Sequence, residues 1–242
     1  MQFYPLSDCG KRRENNEDFC AAEYIKGYSV MMLADGMGGA ASGEVASLGA
    51  VKTAMQHIKE NLKENSEPAQ ILAVMRSALS AANSEILSLA KGNKKYSGMG
   101  TTADICIADE ENAYIAHIGD SRVYKISDNN IECLTRDHTL MEYLISTGAI
   151  TPEEALTHPQ RHMITRALGT VENVDADTCI TKIEKGTSLL LCSDGLTNML
   201  SDSEIASIIE NAATPKKASE TLVQRANEEG GSDNITVIVA KK

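Results

Sequence analysis

The chain has 242 residues, of which 42% are hydrophobic, and a formal net charge of −11 at pH 7. This length is enough for one substantial core, and we predict a single domain over residues 1–242. The acidic excess argues against nucleic acid or an anionic membrane as the main partner. No stretch approaches the ~18 apolar residues of a membrane-spanning helix, and the start lacks an apolar signal core. We expect a soluble, cytoplasmic protein, and we expect it to be a monomer.

The six cysteines are scattered along the chain and form no CxxC pair. Most of them fall inside apolar runs that are typical of strands. This distribution indicates buried free thiols in a reducing compartment, and it leaves a zinc site as the weaker alternative.

The first 92 residues show strand patterns followed by helix patterns. An apolar run at residues 30–39 (VMMLADGMGG) ends in an aspartate and glycines, as a buried strand does when it enters a tight turn. Beyond it, apolar residues recur at three- and four-residue steps, which predicts two amphipathic helices. The predicted elements are strands at residues 2–6, 19–23 and 30–39, a helix at 43–65 capped by Ser42, and a helix from Pro68 to about Gly92.

Downstream of residue 100 the sequence predicts further strands and then helices. Four short strands in succession indicate an antiparallel meander. Residues 149–161 hold two prolines and only weak periodicity, so we predict a surface flap there. The predicted elements are strands at 101–108, 112–118, 122–127, 131–134, 178–183, 189–195 and 235–240, a turn at 128–130, and helices at 137–148, after Ser201 and at 215–228. Strand pairs and helix pairs segregate along the chain, which predicts an α+β fold with layered antiparallel sheets.

Four aspartates share one setting, because each lies at the edge of an apolar run beside a glycine. They are Asp35, Asp120, Asp194 and Asp233. Four carboxylates at strand ends would repel each other unless cations neutralise them, so the set predicts a metal site. For any single aspartate, capping of a turn remains the simpler interpretation.

Eight short motifs follow one another over nearly the whole chain. They are Ser7-Asp8-x-Gly10-x-x-Arg13-x-x-Asn16-Glu17-Asp18, Asp35-Gly36-Met37-Gly38-Gly39, Gly100-Thr101-Thr102, Gly119-Asp120-Ser121-Arg122, Asp137-His138, Thr165-Arg166-Ala167-Leu168-Gly169, Ser193-Asp194-Gly195 and Asp233-Asn234-Ile235-Thr236. Each motif is weak alone, but the ordered set resembles the bacterial branch of the metal-dependent serine/threonine protein phosphatases (the PPM family, type 2C phosphatases). The resemblance implies an αββα sandwich, in which two central antiparallel β-sheets are flanked by helix pairs.

The resemblance also implies a binuclear metal centre with two tightly bound Mn²⁺ or Mg²⁺ ions. Asp35 would bridge both ions, and the backbone carbonyl of Gly36 would bind one of them. Asp194 and Asp233 would bind the other ion. Asp120, together with Asp194, matches a third and weaker metal site of the bacterial members.

Three further residues acquire roles from the resemblance. Glu17 and Asp18 would hold water in the outer shell of the metals, and Arg13 would bind the substrate phosphate. The implied catalytic set is Arg13, Asp35, Asp194 and Asp233. Where the eukaryotic pattern has a histidine, often proposed as the general acid, this chain has Met37, which cannot transfer a proton. Water at the metal centre is our hypothesis for the proton source, and His138, His158 and His162 are candidates for substrate or proton contacts.

The chemistry of phosphomonoester hydrolysis supports this assignment. The reaction needs an activated water and neutralisation of the phosphoryl oxygens, which two hard cations in a carboxylate cage and an arginine fork can supply. We therefore expect a protein-serine/threonine phosphatase that acts on phosphorylated proteins and counteracts a bacterial serine/threonine kinase. The alternatives are a catalytically inactive binding or sensor module on the same fold, and a metal-dependent hydrolase of small phosphoesters.

Overall fold

The computed structural model describes residues 1–38, 42–128 and 130–242. Gly39 of the predicted glycine turn and Asn129 of the predicted turn at 128–130 lie outside the described residues. The strands are β1 Gln2–Asp8, β2 Asp18–Ile25, β3 Tyr28–Met37, β4 Gly100–Thr101, β5 Ala103–Ala108, β6 Asn112–Ile118, β7 Arg122–Ser127, β8 Asn130–Cys133, β9 Asp177–Lys182, β10 Ser188–Cys192 and β11 Ile235–Lys241. The helices are α1 Gly43–Asn61, α2 Pro68–Gly92, α3 Leu140–Ser146, α4 Pro152–Leu156, α5 Asp194–Thr197, α6 Asp202–Asn211 and α7 Pro215–Glu228.

The strands form two antiparallel sheets that face each other. One sheet has the order β1-β11-β10-β7-β8, and the other has the order β2-β3-β5-β6-β9 with β4 paired to β3. Helices α1 and α2 cover the outer face of the second sheet, and α6 and α7 cover the outer face of the first. The predicted αββα sandwich is confirmed.

Strand β3 shows why the central strands have unbroken apolar sequences. Val30 and Met32 pack under the helices on one face, while Met31 and Leu33 pack against the opposing sheet on the other. Successive side chains of a strand point to opposite faces, so a strand covered on both sides is apolar at every position. All four side chains are fully buried, and burying a side chain of this kind contributes about 1.5–3 kcal/mol. This packing fixes the end of β3, where Asp35 lies.

Most helix starts follow local capping signals. Helix α2 begins at Pro68, and α6 begins after Ser201, whose hydroxyl and Glu204 form a capping box. The prediction that the Ser42 side chain caps α1 was wrong. Ser42 occupies the cap position, but its hydroxyl makes no capping bond and donates instead to the backbone carbonyl of Lys95 at 3.3 Å.

The predicted meander from residue 101 to residue 134 was also wrong. Strands β5 and β6 do pair, but β7 lies in the other sheet, where it pairs with β8 and β10. The chain crosses between the two sheets at residues 119–121. A glycine-aspartate-serine sequence suits a hairpin turn equally well, and only packing of the two sheets selects the crossing.

The predicted flap contains a short helix, and only some of the cysteine thiols are buried as predicted. Residues 149–161 are mostly exposed, but they include α4, whose start carries a Thr151–Glu154 capping box. All six cysteines are free; Cys106 and Cys192 are buried, whereas Cys133 is exposed, so the expectation of buried thiols holds for only some of them. Within the described ranges, no helix has the length and apolar character needed to cross a membrane.

Candidate active site

Five carboxylates converge where strands of the two sheets end. Asp18 of β2 lies directly opposite Asp35 of β3 in the strand register. Asp120 follows β6, Asp194 opens α5 just after β10, and Asp233 lies two residues before β11. Burial raises the pKa of Asp35 well above its ordinary value, and the charges of the other four aspartates raise it further. A carboxyl that is sensitive to four other carboxyls lies at the centre of a strongly anionic site.

The backbone of Asp35 is held on both sides by two threonines that follow α2. The Asp35 amide donates to Thr102 Oγ1 at 2.9 Å, and the Thr102 amide donates to the Asp35 carbonyl at 2.9 Å. The hydroxyl of Thr101 donates to the same carbonyl at 2.8 Å. These contacts leave the Asp35 side chain as the group that faces the site. The sequence motif contained both threonines, but it gave no indication of this role.

Asp18 has one satisfied and one unsatisfied carboxylate oxygen. Its Oδ2 accepts a hydrogen bond from Ser193 Oγ at 2.8 Å, and Ser193 Oγ in turn accepts from the Thr236 amide at 3.0 Å. Its Oδ1 is buried and has no hydrogen-bond partner. Burial, helped by the charge of Asp194 and opposed in part by hydrogen bonding to Thr236, Ser193 and Asp35, raises the pKa of Asp18 to about 6. A buried carboxylate oxygen without a donor is costly, so this atom suits a cation or an ordered water.

Gly36 and Glu17 lie where β3 meets the start of α1. The Gly36 amide donates to the Glu17 carbonyl at 3.1 Å. A Cβ on Gly36 would lie 2.1 Å from the Gly43 carbonyl oxygen, so only glycine allows the strand and the helix to approach this closely. The Glu17 carboxylate accepts from the Gly43 backbone, at the helix end that favours negative charge. Glu17 therefore lies beside Gly36 and the start of α1 rather than in the solvated turn that its local sequence resembles.

Asn234 binds the loop between β1 and β2 to the start of β11. Its Oδ1 accepts from the Glu17 amide at 2.8 Å, and its Nδ2 donates to the carbonyls of Cys9 and Asn15, both at 2.9 Å. One buried amide thus satisfies three backbone groups of a loop that is distant in sequence. This contact positions the loop that carries Arg13. Only the adjacency of Asn234 to Asp233 could have suggested it from the sequence.

Arg13 forms an ion pair with Asp233. Its Nη2 lies 2.8 Å from Asp233 Oδ2, with the two side chains 51% and 29% exposed. The predicted phosphate ligand and a predicted metal ligand therefore contact each other directly. An ion pair this exposed contributes at most about 1 kcal/mol, so it can open when a cation binds Asp233.

The remaining predicted groups divide between the site and the core. Met37 lies at the end of β3 and is half-buried. His138 was a candidate for substrate contact, but it is buried and both of its ring nitrogens have partners. His162 lines a cleft of about 430 Å³, which Asp120 and Asp194 line as well. Apolar side chains from α3 and α4, among them Met141, Ile145 and Leu156, also line the cleft.

The donor set fits a divalent cation in its chemistry. It consists of oxygen atoms only, it includes the partnerless Asp18 Oδ1, and its other carboxylates raise the pKa of Asp35. Hard cations such as Mg²⁺ and Mn²⁺ prefer such ligands. In the part of the chain that the structure describes, no three carboxylate, imidazole or thiol groups are already placed so that they could hold an ion. One reason is the ion pair with Arg13: the Asp233 side chain would have to turn away from Arg13 before it could bind an ion.

Replacing Asp120 with asparagine should stabilise the metal-free protein at pH 8. Burial, and then repulsion from Asp194 and Asp137, raises the pKa of Asp120 from 3.8 to about 7. The raised pKa favours the neutral carboxyl in the folded state, so its stabilisation is complete below pH ~4 and is lost as the pH rises through about 7. Between pH 5 and pH 8 in excess chelator, the parent should lose up to ~3 kcal/mol of unfolding free energy relative to Asp120→Asn. Urea titrations across this range measure the difference, and parallel pH profiles would contradict it.

Comparison with known proteins agrees with the fold and identifies the family. Residues 8–236 match the protein phosphatase 2C family, and the chain belongs to this family. It is similar to the protein phosphatase PhpP of Streptococcus pneumoniae, with 38% identity over 240 residues that cover 98% of this chain and 96% of PhpP. It is also similar to the crystal structure of the serine/threonine phosphatase Stp1 from Staphylococcus aureus, with a TM-score of 0.92, 35% identity and coverage of 100% and 94%.

A further solved structure shows a metal-loaded member. The catalytic domain of the phosphatase PstP in complex with two manganese ions aligns with a TM-score of 0.85 and 34% identity, covering 99% of this chain and 97% of that one. These matches confirm the predicted enzyme class: the chain is a bacterial PPM-type protein-serine/threonine phosphatase. Metal dependence follows from membership of the family.

Proposed function

We propose that the enzyme removes phosphate from phosphoserine and phosphothreonine in proteins, with two divalent cations held by Asp35, the Gly36 carbonyl, Asp194 and Asp233. One observation carries this proposal. Five carboxylates from separate segments, including the buried Asp18, meet at a site that an arginine also enters. A phosphoryl dianion could not approach this set unless cations neutralised it, and the same cations would then favour its binding.

The chain's own groups would divide the chemistry as follows. Two Mn²⁺ or Mg²⁺ ions, when bound, would neutralise the carboxylates and lower the pKa of water to near neutral. Arg13, released from Asp233, would hold the phosphate through a charge-assisted fork. Asp18, oriented by Ser193, would accept a hydrogen bond from water through its partnerless Oδ1. Glu17 would orient a second water from the start of α1.

The reaction is the displacement of an alcohol by water at phosphorus. A bond forms between the water oxygen and phosphorus while the bond from phosphorus to the serine or threonine oxygen breaks. The attacking water gives up a proton and the leaving oxygen takes one up from water in the site, so inorganic phosphate and the free hydroxyl side chain are the products. Met37 cannot supply that proton, and buried His138 has no free nitrogen facing the site. Asp120 would serve the third and weaker cation together with Asp194.

The cellular setting belongs to the same proposal. The substrates would be phosphorylated proteins, including a serine/threonine kinase whose action the enzyme reverses. The enzyme would work as a cytoplasmic monomer and a single domain. The exposed segment at 149–161 borders the cleft beside Asp194 through Pro152, Leu156 and Arg161, so it would act as a flap over the bound phosphoprotein.

A panel of phosphopeptides tests the proposal. Matched peptides carrying phosphoserine, phosphothreonine or phosphotyrosine, together with p-nitrophenyl phosphate, would be incubated with Mn²⁺, with Mg²⁺ and with excess chelator. We expect rapid release of phosphate from phosphothreonine and phosphoserine, slow release from phosphotyrosine, and none in chelator. Preference for the small ester over every peptide would favour a small-phosphoester hydrolase. A folded, metal-loaded protein that is inert on all of them would favour the binding module.

A further inference from the structure

A buried pair of histidines lies behind the Asp120 loop, outside the set of carboxylates. His117 Nδ1 lies 2.7 Å from Asp104 Oδ1, and its Nε2 lies 3.0 Å from the carbonyl oxygen of Arg136. The His117 ring packs against the ring of His138, with the centroids 4.6 Å apart. Both rings are almost fully buried. All four ring nitrogens of this pair contact the protein, so the two imidazoles need a role other than chemistry on the phosphate.

His138 and Gly119 form two hydrogen bonds with each other. The Gly119 amide donates to His138 Nδ1 at 3.0 Å, and the His138 amide donates to the Gly119 carbonyl at 2.6 Å. Gly119 has a φ of +118°, and a Cβ there would lie 2.5 Å from Thr102 Cγ2. Glycine is therefore required at this position, and its backbone is held between His138 and Thr102. Asp120 is the next residue.

The contact with Gly119 fixes the tautomer of His138. A backbone amide can only donate, so Nδ1 must be the unprotonated acceptor and Nε2 must carry the hydrogen. Nε2 then donates to Asp177 Oδ2 at 3.2 Å, while Asp177 Oδ1 accepts from Arg166 at 2.7 Å. Burial and the neighbouring His117 lower the pKa of His138 to about 4, which agrees with a neutral ring. A chain of hydrogen bonds thus runs from Arg166 at the surface, through Asp177 and His138, to Gly119 in the Asp120 loop.

The residues that follow Asp120 are held equally firmly. Ser121 Oγ hydrogen bonds to Thr102 Oγ1 at 2.7 Å, and Thr102 also holds the backbone of Asp35. Arg122 makes two hydrogen bonds to Asp137, at 2.9 and 2.7 Å. The residues before and after Asp120 are therefore anchored by hydrogen bonds. Within the turn at 119–121, the Asp120 side chain is the one that faces Asp194.

We propose that His138 is a positioning residue for Asp120, and that its Nδ1 acceptor, oriented by Asp177, sets the affinity of the cation site to which Asp120 contributes. This inference rests on the proposed metal centre. The imidazole holds the Gly119 amide, the amide fixes the start of the turn, and the turn places the Asp120 carboxylate. Partners that orient a metal ligand in this way commonly change metal affinity 10–100-fold when they are removed.

Asparagine and glutamine at position 138 separate this role from general packing. The Oδ1 of asparagine can take the place of Nδ1 and accept from Gly119, whereas the longer glutamine places its amide near the position of Nε2, toward Asp177. Metal-free His138→Asn, His138→Gln and parent protein would be titrated with Mn²⁺ by calorimetry, with Asp120→Ala defining the Asp120-dependent site. We expect His138→Asn to bind within about three-fold of the parent at that site, and His138→Gln to bind at least ten-fold more weakly.

Nitrogen NMR of the metal-free protein provides a readout that is independent of turnover. The parent should show protonated Nε2, unprotonated Nδ1 and a hydrogen-bonded Gly119 amide, whose signal His138→Gln shifts and His138→Asn preserves. Equal Mn²⁺ affinities for the two variants, an Nδ1-protonated ring, or a parent without an Asp120-dependent site would overturn the proposal. If either variant fails to fold, the tautomer of His138 in the parent protein alone decides whether Nδ1 accepts from Gly119, and an Nδ1-protonated ring overturns the proposal. An enzyme that binds Mn²⁺ as expected but hydrolyses no phosphopeptide would sink the proposed function and leave this inference standing.

Discussion

Replacing Asp35 with asparagine should abolish phosphopeptide hydrolysis and remove at least one tightly bound ion. Asp35 has the most anionic surroundings of the site, since four other aspartates raise its pKa. Asparagine has nearly the same shape but no charge, so the variant loses the anion that would join two cations while it keeps the backbone contacts to Thr101 and Thr102. Charge stabilisation by metal ions is worth several kcal/mol, so kcat/KM should fall by about a thousand-fold or more.

The measurement combines initial rates with metal content by elemental analysis after gel filtration. Asp128→Asn is the matched control, because it makes the same change at an exposed turn residue with a φ of +52°, which asparagine tolerates. The control should keep full activity and full metal content. Full activity of the parent in excess chelator, or of Asp35→Asn in Mn²⁺, would refute the binuclear centre.

The fold could be predicted wherever the signal was local. Pro68, Ser201 and Pro215 mark helix starts in the sequence and in the structure, because a cap depends on only a few neighbouring residues. Unbroken apolar runs identify the central strands because these are covered on both faces. The crossing at residues 119–121 could not be predicted, since the choice between a hairpin and a change of sheet is made by packing that is distant in sequence.

In the site, too, the sequence predicts only those features that depend on neighbouring residues. The positions of Asp35, Asp120, Asp194 and Asp233 are readable because each follows or precedes an apolar run. The groups that orient them are not, because those contacts join residues far apart in the chain: Ser193 reaches Asp18 across 175 positions, and Asn234 reaches Glu17 across 217. His138 illustrates the reverse error. Its sequence neighbourhood suggested contact with substrate, whereas the structure gives both ring nitrogens to the protein.

Arg13 is the predicted site residue whose observed contact bears most directly on its role. In the structure it pairs with Asp233, at 2.8 Å, rather than standing free for phosphate. A cation on Asp233 would compete for the same carboxylate, so metal binding and the release of Arg13 would be linked events. Because the ion pair is weak and exposed, separating Arg13 from Asp233 costs little free energy.

Replacing Arg13 with alanine should therefore lower kcat/KM for a phosphothreonine peptide by roughly ten- to a hundred-fold, the equivalent of about 1.5–3 kcal/mol for a lost charge-assisted fork. Mn²⁺ affinity should not fall, because the change leaves Asp233 without its competing cation. Arg12→Ala is the matched control: Arg12 is adjacent, exposed and off the motif. Steady-state kinetics and Mn²⁺ titration of both variants decide the point. Equal kinetic losses would mean that the loop acts through general positive charge, and a lower Mn²⁺ affinity in Arg13→Ala would mean that the arginine supports the metal ligands rather than the phosphate.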